Sequence, residues 1–443
     1  MGKWKTAAPV VFVAIAVGFG VFRWQASERL DAAKQRIRDA GYPVTYAELD
    51  EYYPRPASGE NRADLLQFAI DSMVHPDSSY EMNLPISGNV ELPHRSEPIP
   101  DEQVAAMRKF SDHNANAIEA VFESFEYEEC RFPVNIIAGP EMLLPHLAQM
   151  RSMGRQLSIE SLLGALDGDT ERSTKALIGI FDLADSLEHE PVLISQLVRT
   201  AIRGIGMNAL EQAMNRADFS AQQLESLQAR IIEEEQRQGL TQGLIGERCG
   251  WTFVEMMGQQ DNPFSNGGGD FDIRSIFMSL IYRPSGLMDL DAIDYYHYFK
   301  QILAVAELPV HEQIEASRVI DHEIDQKGVG PMSALVLPAL AWTVEAEVRI
   351  RAQLRTVILA LAAARYREEH GRYPESVEAL LPDYLDAVPI DPSDGAPIRY
   401  RALDEGFVAY SLALNRTDEG GIENEDWQFW REGDLTFTVE QKD

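Results

Sequence analysis

Two histidine–glutamate pairs are the first residues in this chain that could do chemistry. His311–Glu312 and His322–Glu323 each begin like the helix of a zinc hydrolase, in which two histidines four positions apart hold the metal and the glutamate polarises a water. The second histidine is missing both times, because the positions four residues further on hold Glu315 and Gln326. The spacing therefore argues against zinc hydrolysis.

Acidic residues that could serve as general acid and base are abundant, and their positions are 233–235, Glu345, Glu347, Asp289, Asp291 and Asp294. In a chain with 71 acidic residues such groups arise from composition, and a solvated helix face explains most of them. A G-x-S-x-G nucleophile motif is missing as well. These features disfavour an enzymatic function. The alternative is a hydrolase of envelope polymers that uses acidic residues which the sequence does not identify.

The amino-acid composition limits the classes of partner that this chain can bind. The 443 residues carry 71 acidic and 39 basic side chains, a formal net charge of −32, which excludes a nucleic-acid partner because phosphate binding depends on Lys and Arg. The 45% of hydrophobic residues suffices for a sizeable core. Cys130 and Cys249 could form one disulfide or remain two buried thiols, and neither belongs to a redox or metal motif.

The N-terminus predicts a membrane anchor. Residues 7–22 are apolar and uncharged, Lys3 and Lys5 precede them, and Trp4 and Trp24 stand at the edges, where indoles favour the headgroup region. This pattern predicts a single-pass helix in a bacterial inner membrane, with the bulk of the chain on the extracytoplasmic side. A cleaved signal peptide ending near Ala26 is the alternative.

The body reads as helical hairpins. Apolar residues recur at i, i+3, i+4 and i+7 near 159–166, 177–184 and 194–205, with short polar connections between them. The pattern predicts a mainly α fold, either an irregular helical bundle or an α-solenoid of antiparallel hairpins. The predicted units are a membrane anchor (1–26), a stalk helix, Tyr/Pro strap and loop (27–100), a helical body (101–260), a second helical part (271–345) and a C-terminal element (346–443).

Two further segments have competing explanations. The glycine run at 262–270 favours a flexible loop over a phosphate cradle, because no strand precedes it and no GK[ST] follows. The aromatic cluster at 295–299 could line a carbohydrate groove, although aromatic residues at helical spacing are usually core.

The C-terminal element combines a long helix with a small sheet. An apolar stripe over 357–362 predicts the helix, Gly371 suits its C-terminal cap, and Pro374 prevents its continuation. Residues 398–402 and 407–412 read as two antiparallel strands after a turn. This segment therefore predicts a small α+β element, a long helix covering a short antiparallel sheet.

The same segment resembles the globular part of the type II secretion major pseudopilins. The matching residues are Gly371–Pro374, Asp391–Pro392, Asp394–Gly395, Pro397, Tyr400, Gly406–Phe407 and Tyr410–Ser411. In that family the loop after the strand binds calcium, so the resemblance implies a calcium site at Asn415, Asp418 and Asp426, with Glu423 nearby. An acidic surface loop is the alternative.

The chain as a whole also resembles an uncharacterised family of bacterial membrane-anchored helical proteins. Taken together, these features predict an extracytoplasmic scaffold or interaction protein that is anchored by its N-terminal helix and presents grooves to another envelope protein or to a peptide. The resemblance of the C-terminal segment to the pseudopilins adds a further alternative, in which the protein is an accessory component of a type II secretion-like system.

Overall fold

The computed structural model describes residues 3–57, 59–75, 83–237, 239–260, 282–422 and 433–440. They form a mainly α protein with a three-stranded antiparallel sheet near the C-terminus, which confirms the predicted fold class. The predicted glycine-rich break at 262–270 lies outside the described residues. The predicted division of the chain into units stays a prediction.

The first helix, α1 (Lys3–Asp39), contains the residues predicted to be the membrane anchor. That prediction is wrong, because no helix within the described ranges is long and apolar enough to cross a bilayer. At about 1.5 Å of rise per residue, the apolar run at 7–22 is about 24 Å long, against a hydrocarbon core of roughly 30 Å. The predictions of a signal anchor and of a single-pass location in the inner membrane are therefore wrong as well.

The predicted Tyr/Pro strap is partly helical. Helix α2 (Tyr46–Tyr52) occupies its middle, because Thr45 and Glu48 form a capping box in which each side chain satisfies a backbone N–H of the other residue. After it come α3 (Arg62–Ser72), α4 (Asp101–His113) and α5 (Ala115–Ser124). A short 3₁₀ helix at Ile136–Glu141 leads into the centre of the protein.

The centre contains the predicted hairpins as α6 (Pro145–Asp167), α7 (Thr170–Asp185), α8 (Leu193–Met214) and α9 (Ala221–Gln236). Gly168 ends α6 in the left-handed conformation at φ 71°, and the Asp169 side chain caps α7 by accepting from the Arg172 N–H. These two residues turn the chain within a single short connection, so α6 and α7 pack closely.

The remaining α-helices of the described ranges are α10 (Thr241–Arg248), α11 (Trp251–Gln260), α12 (Leu287–Ala306), α13 (Val310–Lys327) and α14 (Ser333–His370). The last helix joins two apolar cores. Its C-terminal half packs with α8, α9 and the sheet, and its N-terminal half packs with α12 and α13. The aromatic cluster on α12 belongs to the second core, where Tyr295, Tyr296, Tyr298 and Phe299 are all buried. Of the two explanations given for this cluster, core packing therefore applies.

The sheet contains β1 (Arg399–Leu403), β2 (Gly406–Ser411) and β3 (Leu435–Glu440) in that order, with both neighbouring pairs antiparallel. The first two strands confirm the prediction within a residue or two, whereas β3 was not predicted. The outer edge of β3 is covered by α8, because Glu211 accepts from the Thr438 N–H at 2.9 Å and Asn215 accepts from the Glu440 N–H at 2.7 Å. This contact fixes the sheet on the helical body.

Candidate functional site

The histidine pairs that opened the search for chemistry do not assemble a metal centre. His311 faces its own neighbour Glu312, with Nε2 and Oε1 3.7 Å apart, at the exposed start of α13. Among the residues with described positions, no three His, Cys, Asp or Glu side chains converge where a metal ion could sit. Cys130 and Cys249 are separate free thiols.

The candidate acid groups are tied into the fold. Asp291 is 2% exposed and accepts from the backbone N–H groups of Met332 (2.9 Å) and Ser333 (3.1 Å), so it holds the start of α14. Glu347 pairs with Arg351 one turn further along α14, and Glu235 pairs with Arg355 across the α9–α14 contact. These three carboxylates are therefore engaged in orienting helices.

Glu234 is the centre of a buried ionic cluster. It is 1% exposed, and three arginines surround its carboxylate: Arg199 and Arg203 from α8, and Arg230 from its own helix. Burial alone would raise the pKa of Glu234, but the three guanidinium groups outweigh burial and lower the pKa to about 2. Glu234 therefore stays ionised at neutral pH. Because Arg199 and Arg230 also contact Asp185 of α7, the cluster joins α7, α8 and α9.

The loop after β2 contains the predicted calcium ligands. Asn415 is used within the loop, since its Oδ1 accepts from the Thr417 N–H and its Nδ2 donates to Glu419 Oε1, each at 3.0 Å. The Asp418 Oδ1 accepts from the Gly420 N–H at 2.8 Å and from the Tyr410 hydroxyl at 3.1 Å. Asp426 and Glu423 lie outside the described residues. The calcium site stays a prediction.

Two other carboxylates meet in this loop, and sequence reasoning missed them. Asp434 is 4% exposed and its Oδ2 accepts from the Gly421 N–H at 2.8 Å, but its Oδ1 and the Oε2 of Glu419 are both buried, and no described residue donates a hydrogen bond to them. Burial raises the pKa of Asp434, the Gly421 N–H opposes this, and the adjacent Glu419 carboxylate adds to it, giving about 6. The pair therefore needs a shared proton or a cation.

The change Asp434→Asn is expected to raise the free energy of unfolding at pH 7 by about 0.5–1.5 kcal/mol, because the new amide can donate to Glu419 where the carboxylate could not. It should also flatten the pH dependence. The raised folded pKa makes the protonated Asp434 stabilising below its unfolded pKa of about 3.9, and this contribution is lost as the pH rises through about 6. Urea unfolding of both proteins between pH 4 and 7 checks this.

Calcium binding at this loop predicts the opposite sign. Oxygen ligands from Asp434 and Glu419 suit a hard cation, and neutralising one of them would weaken the site. Added calcium would then raise the melting temperature of the wild-type protein, a chelator would reverse it, and Asp434→Asn would lower stability in the presence of the cation. An unchanged melting temperature on adding calcium and chelator would dispose of the predicted site.

A different surface has the form of a binding site. An open groove of about 1050 Å³ runs between α5 and α7, with α4, α6 and α9 each contributing one or two side chains at its margins. Half-buried apolar residues form its floor: Ile118, Phe122, Phe125 and Ile178. Gly179 lets the rings lie against α7, because a Cβ there would come within 3.0 Å of Phe122 and 3.2 Å of Phe125.

The rim of the groove is acidic, and its exposed carboxylates are Asp112, Glu119, Glu123, Glu126 and Glu171. Within the described part of the chain none of the five has an ion-pair partner. The two basic residues of the groove are already engaged, since Arg172 pairs with the buried Glu160 at 2.5 Å and the Lys175 ammonium lies 4.3 Å from the Phe122 ring centroid. The groove thus has an apolar floor and an unneutralised negative rim.

No protein-family model, curated protein or solved structure matches this chain. The resemblance of the C-terminal segment to the pseudopilins therefore stays a prediction. No related protein provides a function for the groove, so its chemistry is inferred from this chain's own residues.

Sequence reasoning did not find the groove. The acidic residues at 119, 123 and 126 fall under the general prediction that the carboxylates of this acidic chain lie on solvated helix faces. The sequence did contain one signal, because Phe122 and Phe125 lie three positions apart near a helix end, with the glutamates at 119, 123 and 126 around them. Whether such rings are covered depends on which neighbouring helix packs there, and the sequence does not state it.

Proposed function

We propose that this protein is a helical interaction scaffold and that the groove between α5 and α7 is its recognition surface for a helical segment of a partner protein. The observation that supports the proposal is the uncovered apolar floor at Ile118, Phe122, Phe125 and Ile178. Helices commonly bind other proteins by laying an apolar face into such a groove between two helices. The volume of about 1050 Å³ is at the upper end of small-molecule sites, which favours a larger occupant.

The groove rests on a rigid base. Ala120, Val121 and Ser124 on the inner face of α5 are buried, and so are Leu177, Ile180 and Phe181 on α7. These residues belong to or border the larger apolar core, which also contains α6, α8, α9 and the second half of α14. Binding therefore need not order the walls, and little conformational entropy is lost on the scaffold side.

Filling the groove is expected to abolish peptide binding. Ala115 is exposed at the start of α5 and lines the groove, so Ala115→Trp places an indole in it without touching the core. Helical peptides selected from a displayed library against the wild-type protein should lose at least tenfold in affinity for this variant, measured by fluorescence anisotropy.

The matched control is Ala105→Trp, which adds the same indole to an exposed position of α4 that does not line the groove. This variant should bind the selected peptides like the wild-type protein. If the library yields no binder, or if both tryptophan variants bind equally well, the groove is not the recognition surface. Thermal unfolding of both variants shows whether a loss of binding reflects a loss of fold.

A further inference from the structure

We infer that the helix bound in this groove is cationic and amphipathic, with apolar side chains on the floor and Lys or Arg side chains against the acidic rim. The inference rests on the proposed function and specifies the partner's chemistry. It depends on three observations: the unpaired carboxylates of the rim, their arrangement along α5, and the cations that the chain itself places on the aromatic floor.

The rim carboxylates are available to a ligand. Glu119, Glu123 and Glu126 lie along one wall, and Asp112 and Glu171 lie toward one end. All five side chains are exposed, and no ion pair within the described residues neutralises them. Like charges four residues apart on a helix, as at Glu119 and Glu123, destabilise it slightly, so a partner's cations would relieve a repulsion already present in the free protein.

The floor already accepts cations. Lys175 stands over the Phe122 ring with its ammonium 4.3 Å from the centroid, and the Arg62 guanidinium lies 5.7 Å from the centroid of Phe125. Attraction between a cation and an aromatic face is favourable where water is partly excluded. The two rings thus already hold cations of the chain itself, and a bound cationic helix would find its counter-charges in the rim carboxylates.

The charge of the whole chain acts in the same direction. A net charge of −32 repels acidic partners and steers basic ones, and this raises association rates at low ionic strength. The groove concentrates that preference, because it places five unpaired carboxylates around an apolar strip. Apolar contacts would provide the affinity, and the carboxylates of the rim would select a partner helix of positive charge.

The test uses three labelled 18-residue peptides that share one leucine face and differ only in the polar face, which is lysine, glutamine or glutamate. On the full-length protein, fluorescence anisotropy should show the lysine peptide binding at least tenfold more tightly than the glutamine peptide. The glutamate peptide should bind more weakly still. The advantage of lysine should shrink as salt rises from 50 to 500 mM.

The charge variant is Glu119→Gln, Glu123→Gln and Glu126→Gln combined, and it should lose about tenfold in affinity for the lysine peptide while binding the glutamine peptide unchanged. The control combines Glu51→Gln, Glu307→Gln and Glu405→Gln, which are exposed acidic residues outside the groove that give the same change in net charge. The control should keep the preference for lysine.

The outcomes separate the two levels of the proposal. If the lysine and glutamine peptides bind equally and Ala115→Trp blocks both, the groove binds helices but the inference about charge is refuted. If the lysine peptide binds and neither Ala115→Trp nor the rim variant weakens it, binding occurs elsewhere and both proposals fail. If the rim and control variants lose affinity equally, net charge explains the preference and the inference is likewise overturned.

Discussion

Replacing Glu234 with glutamine is expected to lower the free energy of unfolding by about 3–5 kcal/mol, because it leaves buried arginines without their common counter-ion. Glu234 is 1% exposed, and its carboxylate oxygens lie 3.4 Å from an Arg199 nitrogen and 3.1 Å from an Arg230 nitrogen, with Arg203 in direct contact. Glutamine keeps the size of the side chain but not its charge. The measurement is urea unfolding followed by far-ultraviolet circular dichroism.

The neighbouring residue provides a matched control. Glu233 is one position away on α9, its side chain is 57% exposed, and it pairs with Arg237 at 2.6 Å. An exposed ion pair contributes about 0–1 kcal/mol, so Glu233→Gln should leave the unfolding midpoint nearly unchanged. Equal effects of the two substitutions would show that burial of the cluster does not determine its contribution.

The pH dependence gives an independent check. The folded pKa of Glu234, about 2, lies below the unfolded value of about 4.3, so its charge stabilises the fold above the unfolded pKa and this contribution is lost as the pH falls through about 2. The difference in stability between the wild-type protein and Glu234→Gln should therefore shrink between about pH 4 and pH 2. Near neutral pH the difference also reports on Asp185, because burial and the Glu234 charge raise the pKa of Asp185 to about 7 in the wild-type protein. A difference that does not shrink below about pH 4 would contradict the assignment.

The helical hairpins could be predicted from sequence because local physics determines them. The apolar stripes at 159–166 and 177–184 have the helical period, and the break between them contains Gly168, which adopts φ 71° as a helix terminus requires. The stripe at 194–205 became most of α8 in the same way. Neighbouring hairpins then pack antiparallel because short connections allow little else.

Features that depend on distant partners were not predicted. Helix α2 is an exception, because its capping box of Thr45 and Glu48 is a local T-x-x-E signal that stands among prolines that disfavour a helix. The third strand, β3, is separated from β2 by a long connection and is held by side chains of α8 more than 200 residues earlier. The Asp434–Glu419 contact and the groove likewise depend on which surfaces meet in space, and apolar periodicity contains no such information.

The membrane anchor shows a different kind of error. A short apolar run flanked by lysines and tryptophans is typical of an anchor, but the pattern does not by itself give the length that a bilayer requires. In the structure this run is the first part of α1, whose second half carries charged residues and pairs with the body through Lys34 and Glu255 at 2.5 Å.

Replacing Asp391 with alanine is expected to have a comparably large effect, about 3–5 kcal/mol, because it leaves several buried donors unsatisfied at once. Asp391 is completely buried. Its Oδ1 accepts from the Ser393 N–H at 2.8 Å and the Ser411 hydroxyl at 2.7 Å, and its Oδ2 accepts from the Leu412 N–H at 2.9 Å and from Arg399 at 2.6 Å. One carboxylate thus ties the turn before β1 to the end of β2.

The control for this change is Asp386→Ala, an exposed aspartate in the preceding loop that makes no hydrogen bond within the described residues. It should alter the melting temperature by no more than about a degree, since surface substitutions away from buried features are usually neutral. If Asp391→Ala were equally mild, the buried bonds would have to be replaced by water, and the turn would not need its carboxylate.

The conservative variant Asp391→Asn separates charge from hydrogen bonding. Its single side-chain oxygen can keep one pair of bonds, to Ser393 and Ser411, but its amide N–H groups would then face the Leu412 N–H and the Arg399 guanidinium. The asparagine variant should therefore recover less than half of the stability lost in Asp391→Ala. Full recovery would mean that the ion pair with Arg399 contributes nothing and that the turn needs only an acceptor for the two serines.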